Sequence, residues 1–316
     1  MRRESFIDCW FLTGATASGK TAVGIELASQ IDAEIISLDS MAVYRGMNLG
    51  TAKPTNTDRD RVPHHLIDIV SPDQEFSVAE YRDLAWQTVK DIWRRGREVL
   101  FVGGTPLYLM ALLRGLVSGP PPDLEFRQQV ASEVQQVGSR ALHDRLRQVD
   151  PLSATKLHPN DVKRIIRALE VHHLTGQPIS HVQTQFHDGK SADECRVFKL
   201  EWPRARLHDR IDCRVDQFFK RGFVEEVQGL LATFGSLSQT SLQAVGYREV
   251  LSCLAGECSF EQTVQSVKNR THRFARHQET WFRRFSECYP VLMADDCDLN
   301  RIATELVALG ETRQLP

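Results

Sequence analysis

Residues 14–21 read GATASGKT. The run fits G-x-x-x-x-G-K-[ST], with Gly14, Gly19, Lys20 and Thr21 at the diagnostic places. A β-rich stretch, residues 6–12, precedes it, and a helical stretch, residues 20–29, follows it. Strand, loop, helix is the context in which this pattern cradles phosphate. Backbone N–H groups of Gly14, Ala15, Thr16, Ala17, Ser18 and Gly19 turn inward around phosphate oxygens. The helix adds its positive N-terminal end, Lys20 a point charge, and the Thr21 hydroxyl a ligand for Mg²⁺ bridging two phosphates. A chance match in a surface loop would lack this strand–helix context. The pattern alone suggests ATP or GTP, and the rest of the chain decides otherwise.

Outward from the loop, EIISL (34–38) reads as a second strand ending at Asp39. A helix starts near Ser77, where Ser77 and Glu80 form a capping box, and stops near Gly96. EVLFV (98–102) is a third strand, followed by Gly103, Gly104 and Thr105. Alternating strands and helices imply a doubly wound parallel sheet. After GPPP (119–122) the sequence becomes helical, with Val162, Ile165, Ile166 and Leu169 on one face. CRVFKLEW (195–202) restores strand character, and the chain from Arg206 onward reads as mainly helical. The fold class is therefore α/β: a P-loop doubly wound parallel sheet core, residues 1–118 and 195–316, with an inserted all-helical domain, residues 119–194.

With 41% hydrophobic and 25% charged residues, the chain has the apolar mass for a core of ordinary size. A net charge of −2 argues against a wholly basic nucleic-acid coat but leaves room for a local patch. The seven cysteines contain no CxxC pair, which fits reduced thiols in the cytoplasm better than a disulfide frame or a zinc site. The N-terminal MRRESFIDCWFL, broken by Asp8, reads as the first strand and not as a signal peptide. No stretch reaches the ~20 apolar residues of a membrane span.

Asp39 lies at the carboxyl end of a strand, where open α/β sheets bind ligands. A Mg²⁺ ligand, a general base and a cap shared with Ser40 all suit that position. Gly103 and Gly104 allow close approach of a ligand, with Thr105 as a polar contact, although a tight turn would also explain the glycines. An Asp that would position an attacking water is missing there. KNRTHRFARHQETWFRR (268–284) sets Lys268, Arg270, Arg273, Arg276, Arg283 and Arg284 among Phe274, Trp281 and Phe282. Charge with interleaved aromatics suits RNA, and equally a solvated basic helix with a buried aromatic face. Lys163, Arg164 and Arg167 form a second basic stripe, which taken alone reads as a solvated helix face. The histidines, including the pairs His64–His65 and His172–His173, show no metal spacing and read as structural.

GATASGKT, SLDSMAVYRGMNLGTAKP (37–54), PHHLIDI (63–69), VGGTPLYL (102–109), RALEVHHLTGQPIS (167–180), RGFVEEV (221–227), AVGYRE (244–249) and RHQETWFRR (276–284) together resemble the tRNA dimethylallyltransferases, or tRNA isopentenyltransferases, in order and spacing. The resemblance covers residues 11–285. It implies transfer of a dimethylallyl group from dimethylallyl diphosphate to N6 of the adenine 3′ of the anticodon, position 37. The loop would then hold an isoprenoid diphosphate, with Mg²⁺ on Thr21. Asp39 would be the general base, Lys20 would serve the leaving group, and Thr105 would contact the target nucleotide. The implied tRNA contacts are Asp39, Ser40, Met41 and Ala42; Arg127, Lys163, Arg164 and Arg167 in the insertion; Gln243, Gly246, Tyr247 and Arg248; and Arg276, His277, Gln278, Trp281 and Arg283. The expected partner is the anticodon stem-loop, and the family suggests a monomer.

Ala15 stands where the family commonly has proline, and Pro106 where glycine is frequent. His272 and His277 stand where basic residues are expected; if they are neutral, tRNA affinity falls at high pH. No Cys/His finger follows, which points to the bacterial type. The rival is a small-molecule or nucleotide kinase, which shares the loop, Mg²⁺ and a base, but does not need basic stretches in both insertion and tail. A nucleotide-dependent RNA-binding module without chemistry has no use for Lys20 and Asp39 in one pocket.

Overall fold

The computed structural model describes residues 5–115, 119–182 and 189–313. The chain divides into two compact units, Met1–Leu113 with Gly189–Pro316, and Arg114–Asp188.

The larger unit is built on a six-stranded sheet: β1 (Trp10–Gly14), β2 (Ala33–Ser37), β3 (His64–His65), β4 (Glu98–Val102), β5 (Val197–Glu201) and β6 (Cys288–Leu292). All pairings are parallel, in the order β3-β2-β4-β1-β5-β6. Successive residues of the central strands point to opposite faces, and both faces are apolar. Leu12, Ile35 and Leu100 pack under the helices Lys20–Gln30, Arg204–Lys220 and Leu299–Glu311. Their neighbours Phe11, Ile36 and Phe101 pack against the helices Val78–Arg94 and Pro106–Leu113. Such a sheet reads in sequence as unbroken apolar runs, as it does at EIISL and EVLFV.

Three details differ from the sequence reading. The run 6–12 is not one strand. Ser5 and Asp8 close a capping box over a 3₁₀ turn, Phe6–Asp8, and the strand begins at Trp10. Those side-chain bonds compete with strand pairing for the same backbone groups. The tail is mainly helical as expected but also holds a strand that the sequence reading does not single out: β6 forms the sheet edge, where Pro290 removes no ladder bond that matters. The break before the helical unit falls at Arg114 instead of 119, because the apolar helix Pro106–Leu113 belongs to the core. The return falls before 194, because the turn Ala192–Glu194 already leads into the buried Cys195.

A third cluster supports the segment after β2. Val43, Tyr44 and Met47 pack on Phe223, Val227, Tyr247 and Val250 from the helices Phe223–Phe234 and Tyr247–Leu254. In the smaller unit, Ile165, Ile166 and Leu169 of the helix Val162–Thr175 pack with Phe126, Val130, Leu142 and Leu146 of Leu124–Val149. That long helix breaks at Gly138 (φ 82, ψ 160).

Candidate active site

The carboxyl ends of β1, β2 and β4 meet at one edge of the sheet and carry the phosphate loop, Asp39 and Gly103–Thr105 respectively. Gly14 closes β1 with φ +140, and a Cβ there would stand 2.7 Å from the Leu200 carbonyl oxygen. Gly19 (φ 93) is the N-cap of Lys20–Gln30 and makes no side-chain cap bond, so the first helix N–H groups face the loop's interior.

The loop's carbonyls are held from behind. Trp202 Nε1 donates to Ser18 O at 2.9 Å, Arg210 Nε donates to Ala17 O at 2.9 Å, and Lys20 Nζ donates to Ala15 O at 2.6 Å. The Arg210 guanidinium lies over the Trp202 ring at 4.2 Å. One turn on, Arg214 NH1 donates to Thr16 Oγ1 at 3.3 Å. The buried Gln278 amide bridges the site: Oε1 accepts from Thr16 N at 2.8 Å, and Nε2 donates to Gly104 O at 2.6 Å. Two of the loop's amides thus have protein acceptors: Thr16 N–H bonds Gln278, and Ser18 N–H bonds Ala15 O at 3.3 Å.

Lys20, Arg214 and Asp39 line one cleft with Thr21, Gly103 and Gly104. Burial, together with the Arg214 charge, pulls the Lys20 ammonium down to about 7, against an opposing pull from Asp39. Arg214 is also lowered, by burial and by Arg210. Two cations forced together out of water mark a place built for anionic charge. Asp39 Oδ1 accepts from Met41 N at 2.8 Å and Ala42 N at 3.3 Å, so the carboxylate does cap the following turn. Among the described residues no donor is seen for its Oδ2, and Asp39 lines the cleft, which leaves a proton-accepting role open. Thr105 Oγ1 accepts from Ser40 N at 3.0 Å, which fixes the two segments together. Gly103 has no room for a side chain, since a Cβ would stand 2.2 Å from Leu38 O.

Thr51, Ala52, Lys53 and Pro54 line the same cleft, and the segment around them is firmly held. Lys53, whose side chain is 2% exposed, donates to Asp68 Oδ1 at 2.6 Å and to Tyr44 O at 2.5 Å. Arg59 grips the other Asp68 oxygen with two bonds of 3.0 Å. Glu226 accepts from Asn48 N at 2.9 Å and Leu49 N at 2.7 Å.

The residues expected on the RNA side separate into two groups. Gln243, Arg248, Arg276, His277 and Arg283 are exposed on the larger unit, and Lys163 and Arg164 on the smaller. Ser40, Met41 and Trp281 are half-buried. Tyr247, Gly246, Ala42 and Gln278 are buried and used internally: Tyr247 bonds Glu226, and a Cβ on Gly246 would strike Phe223 at 2.7 Å. Arg127 and Arg167 both grip Glu170, which is fully buried in the smaller unit. His272 stacks on His208 at 4.2 Å, with Nε2 2.9 Å from Asp212, and so does not face outward as a free cation substitute. His65 pairs with Glu34 at 2.6 Å, a structural contact.

Sequence reasoning did not single out Arg210, Arg214, Lys53 or Glu226. The i, i+4 spacing of Arg210 and Arg214 places them on one helix face, but nothing local says that this face meets the loop.

A phosphate loop joined to a carboxylate, with glycines in place of a water-positioning Asp after β4, defines a group transferase in which a phosphorylated group departs. The chain belongs to the IPP transferase family, whose model matches residues 42–285. It is 51% identical over 290 residues to a tRNA dimethylallyltransferase of Rhodopirellula baltica, covering 89% of this chain and 87% of that protein. A tRNA dimethylallyltransferase of Geobacter metallireducens is 43% identical, covering 91% and 93% respectively. Among solved structures, a tRNA isopentenylpyrophosphate transferase of Bacillus halodurans aligns with a TM-score of 0.68 at 36% identity, covering 96% of this chain and 97% of that one. A eukaryotic dimethylallyltransferase acting on tRNA aligns with a TM-score of 0.80 at 25% identity, covering 97% and 80%. The kinase alternative is not favoured by these relationships. Among the described residues no helix is long and apolar enough to cross a membrane.

Proposed function

We propose that this enzyme transfers the dimethylallyl group of dimethylallyl diphosphate to N6 of the adenine 3′ of the tRNA anticodon, position 37, releasing diphosphate. The observation that carries this reading is the cleft shared by Lys20, Arg214 and Asp39, with no second carboxylate to prepare water. The C1–O bond of the donor breaks and its electron pair leaves on the diphosphate. Lys20, Arg214 and the loop N–H groups stabilise that developing charge. The N6 lone pair forms the new C1–N bond, and Asp39 Oδ2 takes the N6 proton. The base must leave the anticodon stack to reach the cleft, which costs a few kcal/mol and less in a loop than in a duplex. Thr105 and Ser40 would contact it, and the exposed Arg248, Arg276, Arg283, Lys163 and Arg164 suit the RNA backbone.

The site suits Mg²⁺. Thr21 lines the cleft with Asp39, and among the described residues its hydroxyl has no protein partner. Mg²⁺ is commonly held by few protein groups together with substrate phosphates and water. When bound, it would neutralise charge on the departing diphosphate. The free cysteines are compatible with a reducing cytoplasm.

The test is incubation with unmodified tRNA, Mg²⁺ and labelled dimethylallyl diphosphate, in parallel with labelled ATP. Label on the adenine N6 is expected. Phosphoryl transfer from ATP without RNA labelling would overturn the reading.

A further inference from the structure

Phe274 lies in the helix Phe260–Phe282, one turn before Gln278. Gln278 is locked between Thr16 and Gly104, so the position of this turn against the phosphate loop is fixed. Phe274 lines the same cleft as Lys20, Arg214 and Asp39 and is the aromatic residue in its wall. Yet it remains 43% exposed, an unusual expense for a large apolar side chain on a helix that buries Thr271, Ala275 and Phe282. Among the described residues its ring is stacked on no other ring.

We propose that Phe274 is a specificity-determining catalytic residue, whose ring covers the allyl carbon during transfer. This rests on the prenyl-transfer reading above. As the C1–O bond lengthens, positive charge spreads over the allyl carbons, and any nucleophile nearby can capture it. With the adenine amine, C1–N forms and the proton goes to Asp39. With water, C1–O forms instead, a proton goes to solvent, and the products are dimethylallyl alcohol and diphosphate. The rest of the wall is polar apart from glycines, alanines, Pro54 and Val102, so it offers no π-face and little apolar cover against water. An aromatic ring does both: it fills the open side, and its negative face attracts the developing cation.

The experiment uses the full chain with unmodified tRNA and labelled donor, and follows two products, prenylated RNA and dimethylallyl alcohol. Phe274→Ala should lower kcat for RNA prenylation about tenfold. It should raise the share of alcohol and leave KM for RNA nearly unchanged. Phe274→Leu should suppress the alcohol again without restoring kcat, and Phe274→Tyr should restore both. An unchanged kcat and product ratio in Phe274→Ala would overturn the proposal. So would a rise in KM for RNA alone, which would mark a base-stacking residue. If the parent chain labels no RNA at all, the underlying reading fails with it; if the parent labels RNA and the variants do not differ, only the role of Phe274 fails.

Discussion

The Tyr247 hydroxyl donates to Glu226 Oε1 at 2.7 Å, and the same carboxylate accepts from the Asn48 and Leu49 amides. Two helices thereby pin Asn48 and Leu49, just ahead of the cleft-lining residues 51–54. Burial and the Glu226 charge hold the Tyr247 phenol well above its usual range, so it stays a donor. RGFVEEV and AVGYRE, which the resemblance tied partly to RNA, thus meet here as scaffold.

Glu226→Ala should cost about 1–3 kcal/mol of stability, since it leaves backbone donors and a buried phenol without an acceptor. Prenylation should fall further than stability explains, because residues 51–54 lose their anchor. Urea denaturation and steady-state kinetics check this, with Tyr247→Phe as the milder variant.

Asp39→Asn separates capping from proton transfer. The amide oxygen still accepts from Met41 N, so the turn should survive. Turnover should fall about 10²–10⁴-fold while tRNA affinity holds. Turnover near that of the parent would assign Asp39 to the cap alone.

Lys20 sets a pH dependence. With the ammonium near 7, it is charged below that pH and neutral above it. A diphosphate favours the charged form, so binding at higher pH must take up a proton. Inorganic diphosphate affinity should therefore fall as pH rises above about 7, by at most about tenfold per unit. Titration calorimetry in buffers of different ionisation heat reads the proton uptake. Lys20→Met should bind weakly and lose the slope.

Glu170 holds the smaller unit together. Burial pushes its carboxyl up, but Arg127 and Arg167 outweigh this and keep it below the usual range. Its contribution is therefore present above the unfolded value, about 4.3, and is lost as pH falls through the lower folded value. Glu170→Gln should destabilise the chain by about 1–3 kcal/mol, because the two part-exposed arginines lose their charge-assisted bonds. Thermal melts at neutral and acid pH test both statements. A melt like the parent's at neutral pH would show that the arginines are not held by this carboxylate.

Local chemistry made several elements legible before any coordinates. The glycines of GATASGKT dictate backbone shape, EVLFV reads as a strand buried on both faces, and Ser77 with Glu80 writes its own capping box. These rest on interactions within a few residues, or on periodicity, and both are written along the chain. The edge strand β6 was hidden by Pro290 and by its weak alternation. The partners of the site were hidden for a different reason. Arg214 and Gln278 reach Thr16 across 198 and 262 positions, and Glu226 reaches Leu49 across 177. Burial turned Tyr247 from an expected RNA contact into a clamp and drew Lys20 down to about 7. The sequence by itself determined that a phosphate-loop motif would stand at Gly14–Thr21, between a strand and a helix, and that a carboxylate would stand at the next strand end. Only the tertiary structure decided which cations share that cleft and which charged side chains are left for solvent, because desolvation and pairing depend on neighbours that the chain brings together only by folding.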